Sequence, residues 1–183
     1  MKTVHTANAN SMRQTIKIKL LNSNCFPTIL KKGDWYDLKV AEDCFVEGPK
    51  VIKIVENKKT RSEVNFCTTM IPLGVAMQLP EGMEAIVVPR SSTFKKHHLL
   101  QANSVGVIDN SYCGNNDEWK FPALALQDTN IKKGERLCQF KICPSQKATV
   151  IQKLKWLFSS GIDFTVVDSL EGEDRGGFGS TGR

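Results

Sequence analysis

The chain has 183 residues, 40% hydrophobic and 24% charged, with 25 Lys and Arg against 19 Asp and Glu for a formal net charge of +6. This balance fits one globular domain with its own core and excludes a disordered or fibrous chain. No apolar run reaches the roughly 18 residues of a membrane span, and the basic residues form scattered pairs such as Lys31-Lys32 and Lys95-Lys96, a pattern that suits a small polyanion as well as nucleic acid.

Residues 1–13 are polar and lack the apolar stretch of a secretory signal, so the cytoplasm is the expected compartment. Residues 15–20 (TIKIKL) alternate polar and apolar, as a half-buried strand does. Residues 51–55 (VIKIV) read as a second strand. Residues 70–77 read as a further run leading into the Pro80-Glu81-Gly82 turn. Residues 84–88 form another strand, ending at Pro89. One short helix is predicted within 91–100, with Ser91 or Ser92 as its N-cap. Strands follow at 105–108 and 137–142, while 152–158 fits a helix or a strand equally. Short strands punctuated by Gly, Pro, Asn and Asp imply an all-β sandwich or barrel.

The six cysteines have no C-x-x-C spacing, and the histidines are only His5, His97 and His98. No usual zinc spacing results, so reduced, mostly buried thiols are the better reading. The end of the chain, DRGGFGSTGR at 174–183, holds four glycines and one aromatic. It cannot bury enough apolar surface to order itself. It is either a frayed tail or an arm that orders over a ligand. For an arm, the glycine amides and Arg175 suit phosphate, and Phe178 suits a flat base. GxxxxGK[ST] is absent, so this is no P-loop.

Several segments together resemble the trimeric dUTPase family. They are PRSST at 89–93, GVIDNSYCG at 106–114, KGERLCQ at 133–139 and RGGFGSTG at 175–182, in the family's order. GDWYDL at 33–38 is similar to the first family motif but carries Asp34-Trp35 where the family usually has Ala-Gly. The version looks like the phage or prophage branch. The resemblance implies a jelly-roll-like all-β barrel over 1–172 with a short helix, and a flexible glycine-rich arm over 173–183. It also implies a homotrimer with shared active sites, in the host cytoplasm if the chain is phage-encoded.

The implied reaction is hydrolysis of dUTP to dUMP and pyrophosphate by water attack on the α-phosphorus. Asp109, at the end of an apolar strand, is the candidate base. Taken alone, Asp-Asn-Ser also reads as an Asx-turn. Tyr112, three residues on, would lie flat on the deoxyribose and leave no room for a 2′-hydroxyl; alone, it reads as a turn aromatic on the core. Gly106, Val107, Ile108 and the hairpin reaching Trp119 and Lys120 would read uracil through backbone groups. Asn103 matches a family position that holds a uracil-bound water. Residues 115–119 (NNDEW) look like an insertion.

Arg90, Ser91 and Ser92 would bind phosphate, with Arg90 held by a core carboxylate as the other reading. Gln139 would orient the site, and Arg136 would be a buried ion-pair partner. Phe178 would cap the base while Arg175, Gly179 and Ser180 close on the γ-phosphate. Mg²⁺ is implied by the triphosphate, which supplies its oxygens, so no direct protein ligand is expected. Asp37 is a candidate to hold a metal-bound water. By resemblance, one subunit supplies Ser91 and Gln139, the next Asp109 and Tyr112, and a third its arm.

Two other functions stand beside hydrolysis. A dCTP deaminase would need a carboxylate on the strand after the turn, and 121–126 (FPALAL) has none. A nucleotide-gated regulatory protein of phage type would need a protein partner. The spacer 143–174 is longer than usual, and 152–158 reads as an extra element on the barrel or as a partner surface. Nucleic acid is not needed to explain the charge.

Overall fold

Residues 13–56 and 59–177 are described by the structure, a computed structural model. In chain order the strands are β1 (Gln14–Leu20), β2 (Thr28–Ile29), β3 (Tyr36–Lys39), β4 (Cys44–Val46), β5 (Lys50–Glu56), β6 (Lys59–Asn65), β7 (Thr68–Pro72) and β8 (Val75–Gln78). There follow β9 (Met83–Pro89), β10 (Leu99–Gln101), β11 (Gly106–Asp109), β12 (Lys120–Ala125), β13 (Thr129–Ile131), β14 (Arg136–Pro144) and β15 (Ile162–Val166). The helices are α1 (Thr93–His97) and α2 (Val150–Leu157).

The architecture is mostly β, as the strand pattern implies, and jelly-roll-like, as the resemblance implies. Alternation does the sorting. In β1, Ile16 and Ile18 are fully buried while the intervening lysine is not. In β9, Met83, Ala85 and Val87 point inward. The largest sheet runs β11-β9-β14-β3-β2, with β9 joined to β14 along seven residue pairs. Trp119, Phe121 and Phe140 fill the core, the Trp119 and Phe140 rings meeting edge-on at 5.2 Å.

The run at 70–77 is broken. Gly74 takes φ +68, and a Cβ there would sit 2.7 Å from the Cys25 sulfur. Only glycine relieves both constraints, so the chain turns and its halves join different sheets. β7 pairs with β12, and β8 with β1. The helix expected within 91–100 is only α1, with Ser92 at the N-cap position but making no side-chain cap.

The ambiguous stretch at 152–158 is helical, because Thr149 and Gln152 form a reciprocal capping box. The spacer thus contributes α2 and also β15, which runs parallel to β1 and sets Phe164 against Tyr36 at 5.0 Å. The α2 face bearing Val150, Ile151, Leu154, Leu157 and Phe158 is exposed. β5 and β6 form a two-stranded ribbon of their own, whose second strand has no clear signal in the sequence. All six cysteines are free. Among the described residues no helix is long and apolar enough to cross a membrane.

Candidate active site

Among the described residues β11 pairs with β9 alone, so its other backbone edge is free. That edge lines a cavity of about 310 Å³. Gly106, Val107, Ile108, Asp109, Asn103, Tyr112, Trp119, Lys120 and Arg175 all reach this cavity. Val87, Gln101, Pro122, Gly176 and Gly177 also line it.

Gln101 is the most informative of the residues the motifs miss. It is buried, and its Nε2 donates to Asn103 Oδ1 at 2.9 Å and to the Val87 carbonyl at 3.3 Å. It thereby fixes the Asn103 side chain. A signal was present: Leu99 and Gln101 lie two apart in one strand, so they share the inward face.

Asp109 ends β11, opposite Glu84 at the start of β9. Its two oxygens do different things. Oδ1 accepts from the Ser111 amide at 2.9 Å and from the Ser111 hydroxyl. That is the Asx-turn the sequence suggests. Oδ2 accepts from Arg175 Nη1 at 2.6 Å. Burial pushes the carboxyl pKa up, but the Ser111 hydrogen bonds and the Arg175 charge outweigh it and hold it below the usual aspartate value. Asp109 is therefore an ionised acceptor at neutral pH.

Tyr112 closes the turn, its amide donating to the Asp109 carbonyl at 3.1 Å. Its phenol donates to the Glu118 carbonyl at 3.0 Å, which fixes the ring plane. Burial, reinforced by the charges of Asp117 and Glu118, pushes that phenol up to about 12.

Trp119 needs correction as a backbone reader of a base. Its N–H donates to the Val75 carbonyl at 2.9 Å, and its own carbonyl accepts from Leu73 N at 3.0 Å. Both groups are spent on the barrel, and the indole is fully buried. Lys120 belongs to the β12–β7 ladder, opposite Pro72. A ligand in the cavity meets the free edge of β11 and the Lys120 end of β12.

The phosphate-type residues lie elsewhere. Arg90, Ser91 and Gln139 line a separate cleft of about 200 Å³. Gln139 pairs with Val88 and Asp109 with Glu84, so the two groups are offset by four residues along β9, about 14 Å at a strand's rise. Ser92 stands at the start of α1. Arg90 donates from Nε to Asp37 Oδ1 at 2.9 Å, and Arg136 from Nη1 to Asp37 Oδ2 at 3.1 Å. Arg90 thus meets a core carboxylate, and Arg136 is the expected ion-pair partner, although its side chain remains 39% exposed. Asp37 is 3% exposed with both oxygens committed to guanidinium groups. Each oxygen keeps a second lone pair, and Asp37 lines the same cleft as Ser91 and Gln139.

Residues 173–177 are not free. Arg175 N and Gly176 N donate to the two oxygens of Asp117, each at 3.0 Å. Gly177 packs on the Tyr112 ring. Phe178, Gly179 and Ser180 lie outside the described residues.

Among the described residues no group of three or more His, Cys, Asp or Glu could hold a metal ion.

A family model described as dUTPase matches residues 54–156. The chain is similar to the SPbeta prophage-derived deoxyuridine 5′-triphosphate nucleotidohydrolase YosS of Bacillus subtilis (strain 168), at 47% identity over 91% of this chain and 97% of that protein. It is similar to the deoxyuridine 5′-triphosphate nucleotidohydrolase of Escherichia phage T5, at 33% identity over 91% of this chain and 98% of that protein. Its fold is similar to the crystal structure of dUTPase from Streptococcus mutans, with a TM-score of 0.58 and 24% identity over 73% of this chain and 98% of that one.

Proposed function

The chain belongs to the dUTPase family, and on that premise we propose that it hydrolyses dUTP to dUMP and pyrophosphate with Asp109 as the base. The observation that carries this reading is an ionised Asp109 at the rim of a nucleoside-sized cavity, with the β11 edge on one side and the Tyr112 ring on the other.

Water attacks the α-phosphorus. A new P–O bond forms, the bond to the bridging oxygen of the β-phosphate breaks, and the water proton passes to Asp109. A low pKa makes Asp109 a weak base, so its main service is to orient the water and balance the charge that develops on it. The free N–H and C=O groups of β11 pair with the uracil edge as a neighbouring strand would. Tyr112, held by its phenol, packs on the deoxyribose and excludes ribose by sterics. Mg²⁺ comes with the triphosphate, whose charge it neutralises.

Arg90, Ser91, Ser92 and Gln139 serve the triphosphate in an assembled homotrimer. The offset of about 14 Å along β9 supports this division, because one chain cannot bring both groups to one α-phosphorus. Phe178, Gly179 and Ser180 complete the closure over base and γ-phosphate. Deamination of dCTP is disfavoured because β12 carries no acid and Asp109 is the cavity's one carboxylate among the described lining residues.

The test is pyrophosphate release from dUTP by purified protein with Mg²⁺, run beside dCTP with ammonia detection. A wild-type chain inert toward dUTP at micromolar enzyme rejects the reading.

A further inference from the structure

We infer that Gln101 is a specificity-determining positioning residue. It sets which way the Asn103 amide faces, so that the cavity presents an N–H donor there and takes a pyrimidine with a 4-carbonyl over one with a 4-amino group. The substrate class rests on the hydrolase reading above, while the amide relay stands on geometry.

The relay starts at a backbone carbonyl. The Val87 oxygen can only accept, and Gln101 Nε2 donates to it at 3.3 Å. That contact fixes which end of the Gln101 amide is the nitrogen. The second N–H of the same nitrogen goes to Asn103 Oδ1 at 2.9 Å. The Asn103 oxygen is therefore turned to the buried Gln101. Its Nδ2, on the other branch of the amide, makes no hydrogen bond among the described residues and is the polar group left toward a ligand in the cavity that Asn103 lines.

Burial makes this setting stiff. Gln101 is 8% exposed, and its Oε1 is buried with no partner among the described residues. Turning the amide over does not relieve that atom, because Oε1 would then face the Val87 carbonyl and Asn103 Oδ1, oxygen against oxygen, with both hydrogen bonds lost. Gly106 leaves the room for the amide: a Cβ there would come within 3.3 Å of Gln101 Nε2 and of Val87 Cβ.

The chemistry of the choice follows. The free edge of β11 offers N–H and C=O groups in alternation, so a base displaced along it could satisfy either uracil or cytosine. Uracil presents O4, an acceptor, where cytosine presents an amino group, a donor. A donor at Asn103 pairs with the carbonyl and meets the amino group N–H to N–H. A water between them would accept from Nδ2 and turn its own O–H to the carbonyl, which passes the same polarity on. Rejection then comes from polar groups left unpaired in a closed site. The β11 edge supplies the pairing, and Gln101 supplies its polarity.

A double-mutant cycle on the assembled protein tests this. The readout is the ratio of affinities for the α,β-imido analogues of dUTP and dCTP, measured by calorimetry with Mg²⁺, so turnover is not needed. Gln101→Leu nearly keeps the volume and removes the relay, and the ratio in favour of the dUTP analogue should fall at least about tenfold. Gln101→Glu can accept from Asn103 Nδ2 and so turn the Asn103 oxygen toward the base, and it should lower the ratio further. Asn103 is exposed, and Asn103→Ala alone should lower the ratio about as much as Gln101→Leu. In the Asn103→Ala background, Gln101→Leu should move the ratio by less than about twofold, because the relay has already lost its end.

A ratio unmoved by Asn103→Ala overturns the inference whatever the Gln101 variants do. So do ratios unmoved in both Gln101 variants with melting temperatures preserved. A full effect of Gln101→Leu in the Asn103→Ala background also overturns it, since Gln101 would then act through the shape of the cavity. A wild type that binds the dUTP analogue selectively yet releases no pyrophosphate from dUTP rejects the hydrolase reading and leaves the relay to be decided by the same ratios.

Discussion

Arg175 Nη1 lies 2.6 Å from Asp109 Oδ2, so the arm's cation rests on the carboxylate proposed as the base. The oxygen it occupies is the one not used by the Ser111 turn. Asp109→Asn should therefore leave the turn largely intact, since the amide oxygen can still accept from Ser111, while removing the acceptor that turnover needs. The expected outcome is a fall in kcat of about a thousandfold or more, with a non-hydrolysable dUTP analogue still bound within roughly tenfold of wild type. Calorimetry and single-turnover kinetics give both numbers. Equal losses in binding and kcat would assign Asp109 to binding instead.

Tyr112 offers a split between its ring and its hydroxyl. Tyr112→Phe removes one hydrogen bond to the Glu118 carbonyl, and the stability cost should be about 1 kcal/mol in urea titrations, with selectivity kept. Tyr112→Ala opens the space beside the sugar. Its kcat/KM for UTP relative to dUTP should rise at least tenfold. If the ratio is unmoved, the ring does not set the sugar choice.

Much of this was legible from residue order alone, because β strands announce themselves by alternation. β1 reads directly, since its inward positions are apolar and its outward ones polar, and β9 and β14 read as apolar-rich runs bounded by turn residues. The Asp109–Tyr112 turn read from its motif. Other features had no local signal. β6, at KTRSEVN, is exposed throughout and is a strand only because β5 runs beside it. The break at Gly74 depends on where the Cys25 sulfur lies, 49 positions away in the chain. Trp119 looked like a ligand contact, yet its backbone is taken by Leu73 and Val75, a tertiary fact. The hydrogen bonds from Asn115 to Leu170 and from Asp117 to Gly176 span more than 50 residues, which no window over the sequence reports.

Asp37 carries a prediction about stability. It is buried between Arg90 and Arg136, and removing it strands two like charges side by side. Asp37→Ala should lower unfolding free energy by about 3 kcal/mol, toward the lower end for a broken buried pair because Arg136 reaches solvent. The Mg²⁺ concentration giving half-maximal rate should stay within about twofold of wild type, since the ion is carried by the triphosphate. A large shift in Mg²⁺ dependence with stability preserved would tie Asp37 to the metal.

The pH profile follows from two shifts of opposite sign. Asp109 has its pKa held below the ordinary aspartate value in the folded chain. Its unfolded counterpart takes up a proton first as pH falls, so its contribution to stability is present above about pH 4 and is lost as pH drops through the folded value. Tyr112 is the reverse case. Its phenol is raised to about 12, while an unfolded tyrosine ionises near 10. The unfolded chain releases its proton first as pH rises, so stability present below about pH 10 is lost between about 10 and 12. Between about pH 5 and 9 neither group changes charge. Asp109 and Tyr112 should therefore add no limb to kcat/KM across that window, and the Asp109 limb should fall below about pH 4. Melting temperatures across the full range, compared with Tyr112→Phe above pH 10, isolate the tyrosine contribution. An acid limb near pH 6 that disappears in Asp109→Asn would show that Arg175 and Ser111 do not hold the carboxylate ionised in the working enzyme.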